Sequence, residues 1–154
     1  MPQSLVQVYL HLIWSTKHRA PFLKDPALRV EMHKYLGGAC NGIGCPVLQV
    51  GGVEDHVHVL CRQGKSLTIP EILAELKRES SKWAKLRDPS LRDFYWQDGY
   101  GAFSYSRSQI DVVCEYVLNQ EEHHKKQTFQ EEYLNFLEKF AVLYDERYLF
   151  DFFD

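Results

Sequence analysis

The chain has 154 residues, with 18 Lys and Arg against 21 Asp and Glu, a formal charge of −3, and 14% aromatic residues. That length suits a single domain over 1–154 with a sizeable core. No apolar run approaches the roughly 20 residues of a membrane span, and the N-terminus has no basic-then-apolar signal pattern, so a cytoplasmic protein is expected.

Leu5 to Thr16, rich in Val, Leu, Ile, Tyr and Trp, reads as a strand, followed by a polar turn at Lys17 to Arg19. A helix from about Asp25 to Ala39 follows, with Asp25 as N-cap and Pro26 in the first helical position. Asn41-Gly42-Ile43-Gly44 breaks it. Val47 to Val53 and His56 to Arg62 are joined through Glu54-Asp55 alone, which predicts a hairpin. The next helix starts near Thr68, with Pro70 in its first turn and Ile69, Ile72, Leu73, Leu76, Trp83 and Leu86 as its apolar stripe. Beyond Asp88-Pro89, the aromatic stretch Phe94 to Ser106 predicts one or two short strands. Ser108-x-x-Asp111 resembles a capping box and opens a helix running to Lys125 or Lys126. A last helix is expected from about Thr128 to Leu143, before the apolar tail Tyr148 to Phe153, which should dock on its own core or on a partner subunit.

This order of elements, β-α-β-β-α-β-α, fits an α+β fold: a ferredoxin-like α/β sandwich with a mainly antiparallel sheet, helices on one face and an extra C-terminal helix. The other sheet face is expected to be available. Cys40, Cys45, Cys61 and Cys114 lack zinc-ribbon spacing, and three of them sit in or beside apolar runs, which predicts buried free thiols.

The chemistry concentrates in two places. In a strand, residues two apart face the same way, so His56 and His58 project side by side while Val57 and Val59 face a core. By itself such a pair is more often ordinary surface chemistry than a metal site. On the helix beginning near Ser108, Ile110, Val113, Cys114 and Val117 form the apolar stripe. Tyr116 and Gln120 fall about 80–120° to one side of it and, four apart, share a face. Tyr116 is thus half sheltered, where a reactive hydroxyl could meet a substrate. Asp55 could orient an imidazole, although it also suits a turn.

Charge is unevenly spread. Residues 1–110 hold 14 basic against 10 acidic side chains (+4), and residues 111–154 hold 4 against 11 (−7). Arg78, Lys82 and Lys85 follow i, i+4, i+7 spacing along one helix side, either a solvated face or a rail for a phosphate backbone. Lys17, His18 and Arg19 at the end of the first strand are further candidate phosphate contacts. Trp96, Tyr100, Phe103 and Tyr105 are either core or stacking platforms for unpaired bases, and His123 and His124 either a solvated helix end or DNA contacts.

The His-hydrophobic-His strand followed by a helix with Tyr-x-x-x-Gln resembles the single-tyrosine transposases of insertion sequences, in the HUH endonuclease superfamily that also holds the REP-associated tyrosine transposases. The likeness extends to His11-Leu12-Ile13-Trp14-Ser15-Thr16-Lys17-His18-Arg19, to Trp96-Gln97-Asp98-Gly99-Tyr100-Gly101-Ala102-Phe103-Ser104 and to Asn119-Gln120-Glu121-Glu122-His123-His124. It implies a ferredoxin-like fold whose open face binds DNA, usually as a homodimer. It also implies His56, His58 and Gln120 as ligands of Mn²⁺ or Mg²⁺, and Tyr116 as a nucleophile that cleaves and rejoins single-stranded DNA, at hairpin-forming element ends, through a 5′-phosphotyrosine link. Two other readings stand beside it: a catalytically inactive or domesticated single-stranded nucleic-acid-binding protein of the same fold, and a structural dimer with an incidental His pair.

Overall fold

The computed structural model describes residues 2–145 together with Arg147 and Leu149. Four strands, β1 (Tyr9–Ser15), β2 (Val47–Gly52), β3 (His56–Arg62) and β4 (Gly101–Tyr105), form one antiparallel sheet in the order β2-β3-β1-β4. The helices are α1 (Pro26–Gly42), α2 (Ile69–Arg87), α3 (Ile110–Leu118), the short α4 (Gln120–His123) and α5 (Phe129–Lys139). The α+β fold with its extra C-terminal helix therefore stands.

Period-two alternation divides the strands between two faces. Leu10, Leu12, Trp14, Val57, Val59 and Cys61 point to one side, where Leu28, Met32 and Leu36 of α1 and Ile72, Leu73 and Leu76 of α2 close the main core. The other side carries His11, Ile13, His56, His58 and Leu60. The sequence implies that this face is available, but it is covered. Val113 and Val117 of α3 pack on Tyr9 and Leu60, and Phe129, Tyr133, Phe136 and Leu137 of α5 pack on Ile13 and Phe103. An acidic, aromatic C-terminal helix has an apolar stripe to bury, and this sheet face receives it.

Local chemistry explains the boundaries. The Asp25 carboxylate accepts from Ala27 N at the start of α1. Thr68 and Glu71 form a reciprocal capping box at α2, and Thr128 Oγ1 accepts from Glu131 N at α5. The expected box at Ser108 does not form: Arg107–Gln109 is a 3₁₀ turn, and Ser108 Oγ bonds the Ser106 hydroxyl. Helix α1 includes Asn41 and Gly42, is capped at Ile43, and the chain turns away at Gly44, whose φ of +81° suits glycine. The first strand begins at Tyr9, after the exposed Leu5, Val6 and Val8. Leu86 is also exposed, so the α2 stripe ends through Ser80 and Ala84.

Gly51 on β2 positions the site. A Cβ there would overlap the Val117 carbonyl oxygen, so glycine lets α3, with Tyr116, lie directly against the sheet. The four cysteines are free thiols, three of them buried. Of the apolar tail Tyr148 to Phe153, Leu149 is described and packs beside the Ile13 and Phe103 cluster; the rest of that segment lies outside the described residues. Among the described residues no helix is long and apolar enough to cross a membrane.

Candidate metal and nucleophile site

His56 and His58 lie side by side on β3, fully buried, with ring centroids 5.3 Å apart. Each ring is held through Nδ1. His56 Nδ1 meets Asp55 Oδ1 at 2.8 Å, and the other Asp55 oxygen accepts from Arg19 Nε at 3.2 Å. His58 Nδ1 meets His11 Nε2 of β1 at 2.8 Å. With Nδ1 engaged, each ring turns Nε2 to the space beneath α5, and a proton on Nδ1 would leave the Nε2 lone pair facing that space. His56 also stacks on Phe129 at 4.0 Å.

That space is occupied by Glu132 of α5. Its Oε1 lies 3.2 Å from His58 Nε2, 3.6 Å from His56 Nε2 and 3.3 Å from His124 Nε2. Its Oε2 accepts the Tyr116 hydroxyl. His124 Nε2 further meets His56 Nε2 and Gln120 Oε1, both at 3.1 Å, while Gln120 Nε2 donates to the Tyr116 carbonyl. The Tyr116-Gln120 pair therefore reaches the His pair although α3 and α4 are separated at Asn119. Gln120 stands behind His124, whereas Glu132 faces the imidazoles directly.

The electrostatics follow from this crowding. Burial alone would raise the Glu132 pKa, but His58, His124 and His56 outweigh it and hold the carboxyl well below its usual range. Burial opposes charge on His56, yet the carboxylates of Asp55, hydrogen-bonded to it, and of Glu132, close to its Nε2, raise its pKa above 6.5. For His58 burial prevails over Glu132 and the pKa is lowered. His11 is lowered further, again chiefly by burial. Burial and then the Glu132 charge push the Tyr116 phenol up, so it stays protonated at neutral pH.

His56, His58 and Glu132 each offer one ligand atom, all within 4.8 Å of one another, and could hold a metal ion. Fit to a divalent cation rests on a particular atom: His58 Nε2 is buried and makes no hydrogen bond, although Glu132 Oε1 is 3.2 Å away. An imidazole lone pair without a donor is what a cation would satisfy. Two imidazoles with oxygen donors suit Mn²⁺ or, less ideally, Mg²⁺.

The sequence reading missed Glu132 and left His124 open. The signal for Glu132 was present: it lies three residues after Phe129 and four before Phe136, inside the α5 apolar stripe, where a carboxylate needs a reason to be buried. Asp55 takes its orienting role with the His56 ring. Trp96 and Phe103 are buried core, while Tyr100 stays partly exposed.

The candidate DNA contacts divide. Arg19 is turned inward, bonded to Asp55 with its guanidinium 5.4 Å from the Phe129 ring centre. It borders a cavity of about 480 Å³ beside His56 that also reaches Arg29, His124 and Lys125. A second cavity of about 280 Å³ lies beside Tyr116, against Tyr105, Asn135, Phe136 and Lys139. Arg78 is ion-paired with Glu75 and Glu79. Lys85 and Lys17 lie over the half-exposed Tyr95 ring, 4.1 and 5.8 Å from its centre. Lys82 is exposed. Arg78, Lys82 and Lys85 sit on α2, in the helix layer opposite the site. The backbone links Lys17 to Tyr95 and Thr16 to Asp55 bring that layer round the end of β1 toward His56.

Residues 4–120 match the family described as Transposase IS200 like. Among solved structures, the fold is similar to a candidate transposase from Deinococcus radiodurans R1, with a TM-score of 0.59, 22% identity, and 78% of this chain and 95% of that one covered. It is also similar to a REP-associated tyrosine transposase solved bound to a REP hairpin, with a TM-score of 0.53, 8% identity, and 76% and 68% covered. Among curated proteins no match is found. With a family match over most of its length, on a fold that brings the His pair to the tyrosine, the chain belongs to the IS200-like transposase family.

Proposed function

We propose that this protein cleaves and rejoins single-stranded DNA, with Tyr116 as nucleophile and His56, His58 and Gln120 serving a divalent cation, Mn²⁺ or Mg²⁺. The observation that carries the reading is convergence: the Tyr116 hydroxyl and both imidazole Nε2 atoms meet at one buried carboxylate. When bound, the cation would draw charge from a phosphoryl oxygen, which a phenol needs because it is a poor nucleophile at neutral pH. Tyr116 Oη then forms a bond to phosphorus as the bond to O3′ breaks. The phenolic proton leaves, the departing O3′ gains one, and a 5′-phosphotyrosine link remains. The bond energy is retained, so a later 3′-hydroxyl can reverse the attack and join strands without a nucleotide cofactor.

Arg19, His124 and Lys125 border the cavity beside His56 and would hold the strand next to the scissile phosphate there. Lys17, Lys82 and Lys85, with Arg78, would hold the flanking backbone. A relative of this fold was solved with a hairpin, and hairpin-forming element ends are the substrate we infer. Moving a segment requires two cleaved ends, and one tyrosine holds one, so two subunits would act together over the single domain 1–154.

Incubation with hairpin-bearing single-stranded oligonucleotides and Mn²⁺, followed by denaturing electrophoresis, tests the reading. Wild type should form a covalent adduct. Tyr116→Phe should lose it, by on the order of 10⁴-fold or more, while still binding DNA. Undiminished adduct in the variant ends the nucleophile assignment, and binding without any adduct from wild type leaves a nucleic-acid-binding protein. A monomer at micromolar concentration would remove the paired-site mechanism.

A further inference from the structure

We propose that Glu132 is a bridging carboxylate: Oε1 completes the cation site with His56 and His58, and Oε2 holds the Tyr116 hydroxyl beside it. The inference rests on the metal reading above and assigns a role to a residue on α5, beyond the matched residues 4–120.

The two oxygens do different things. Oε1 faces the Nε2 atoms of His58, His56 and His124 at 3.2, 3.6 and 3.3 Å, whereas Oε2 accepts from Tyr116. A carboxylate has lone pairs enough for both. Glu132 is 2% exposed, and the groups facing it are imidazoles and a phenol. A buried carboxylate so placed is costly unless positive charge is near, and a divalent cation between it and the two imidazoles would supply that charge in place of a proton on His56. Hard cations such as Mn²⁺ and Mg²⁺ favour anionic oxygen over the neutral amide of Gln120. The side chain is also held. Phe129, Tyr133 and Phe136 of the same helix pack into the Ile13 and Phe103 cluster, fixing α5 over β1 and β4. Asp55 and His11 likewise fix the two rings from behind. Cation and nucleophile therefore share one rigid support, and each should report on the other. Glu132 is a ligand and a positioning residue for Tyr116.

The test needs no DNA. Mn²⁺ is titrated into wild type, Glu132→Gln, Glu132→Asp, His56→Ala and Tyr116→Phe. Bound ion is read by electron paramagnetic resonance, and phenol environment by ultraviolet difference absorbance. Loss of a group behind a ligand costs about 10–100-fold in affinity, so Glu132→Gln should lose about tenfold or more. Mn²⁺ should perturb tyrosine absorbance in wild type, and Tyr116→Phe should abolish the change. Glu132→Gln should leave Tyr116 silent even at saturating ion. Should Glu132→Gln fail to fold, Glu132→Asp keeps the charge but cannot reach both partners, and the same losses are expected. Mn²⁺ affinity as high as wild type in the Glu132 variants, alongside its loss in His56→Ala, overturns the bridge and leaves the metal reading standing. Wild type that binds no Mn²⁺ overturns both.

Discussion

The two faces of the sheet are built from the same strands and differ in what they bury. Under α1 and α2 the sheet presents Leu10, Leu12, Trp14, Val57, Val59 and Cys61, an apolar surface closed by aliphatic side chains. Under α3 to α5 it presents His11, His56 and His58, and the covering helices answer with Gln120 and Glu132, all buried. An apolar layer is stable through burial alone, at roughly 25 cal/mol per Å². A polar layer is stable only where each group finds its partner, so it is the layer with specific geometry. One face holds the fold together, and the other holds side chains at fixed distances. Period-two alternation lets adjacent residues such as Val57 and His58 serve both.

If the faces are separable, Leu12→Ala should cost about 2–5 kcal/mol of stability and lower the melting temperature seen by scanning calorimetry. The stabilisation of the protein by added Mn²⁺ should be unchanged. A Leu12→Ala protein that still folds but has lost its Mn²⁺ response would show that the aliphatic layer sets the metal geometry as well.

A pH series sharpens the comparison where a polar group intrudes on the first layer. His33 of α1 has a buried Nε2 without a hydrogen bond, and burial, aided by Arg29, lowers its pKa from 6.5 to about 4. Between those values the unfolded chain binds a proton that the folded protein does not. Stability should therefore fall as pH drops from about 7 to about 4, then level off, with up to about 3 kcal/mol from this residue. Urea denaturation at several pH values should show a shallower acid loss in His33→Gln. If the variant keeps the full loss, the imidazoles of the other face govern acid sensitivity.

The smallest expected effect asks whether the outer surface of the α1 and α2 layer touches DNA. Each phosphate neutralised on a single strand contributes about −0.7 to the log-log salt slope. Reversing Lys82 and Lys85 to Glu should flatten the slope by about 1.4. Adding Arg78→Glu should change it by less than a further 0.7 or so, because Arg78 is already paired with Glu75 and Glu79. An unchanged slope in the double variant would confine DNA contacts to the histidine face.

Two parts of the candidate site were legible in the sequence because they are local. His56 and His58 share a side through strand periodicity, and Tyr116 and Gln120 share one through helix periodicity. Asp25, Pro26 and the short Glu54-Asp55 connection likewise carry their own turn and cap chemistry. Boundaries read less well where local signals competed. Asn41 and Gly42 look like a stop, yet both belong to the last turn of α1, where the Asn41 side chain accepts from Val47 N of β2, and Ser108-x-x-Asp111 looks like a cap in a segment that turns as 3₁₀ instead.

The sequence by itself determined the four strands in their order, the side on which the histidines project, and the family, since these depend on residue types within a few positions of one another. Only the tertiary structure decided that α5 roofs the histidine face and that His11, His124 and Glu132 close around the pair. The physical reason is separation. Glu132 and His58 meet across more than seventy positions of chain, through the packing of an aromatic helix on a sheet. Spacing within either segment records that one stripe is apolar and carries a carboxylate, and not which imidazoles the carboxylate will meet.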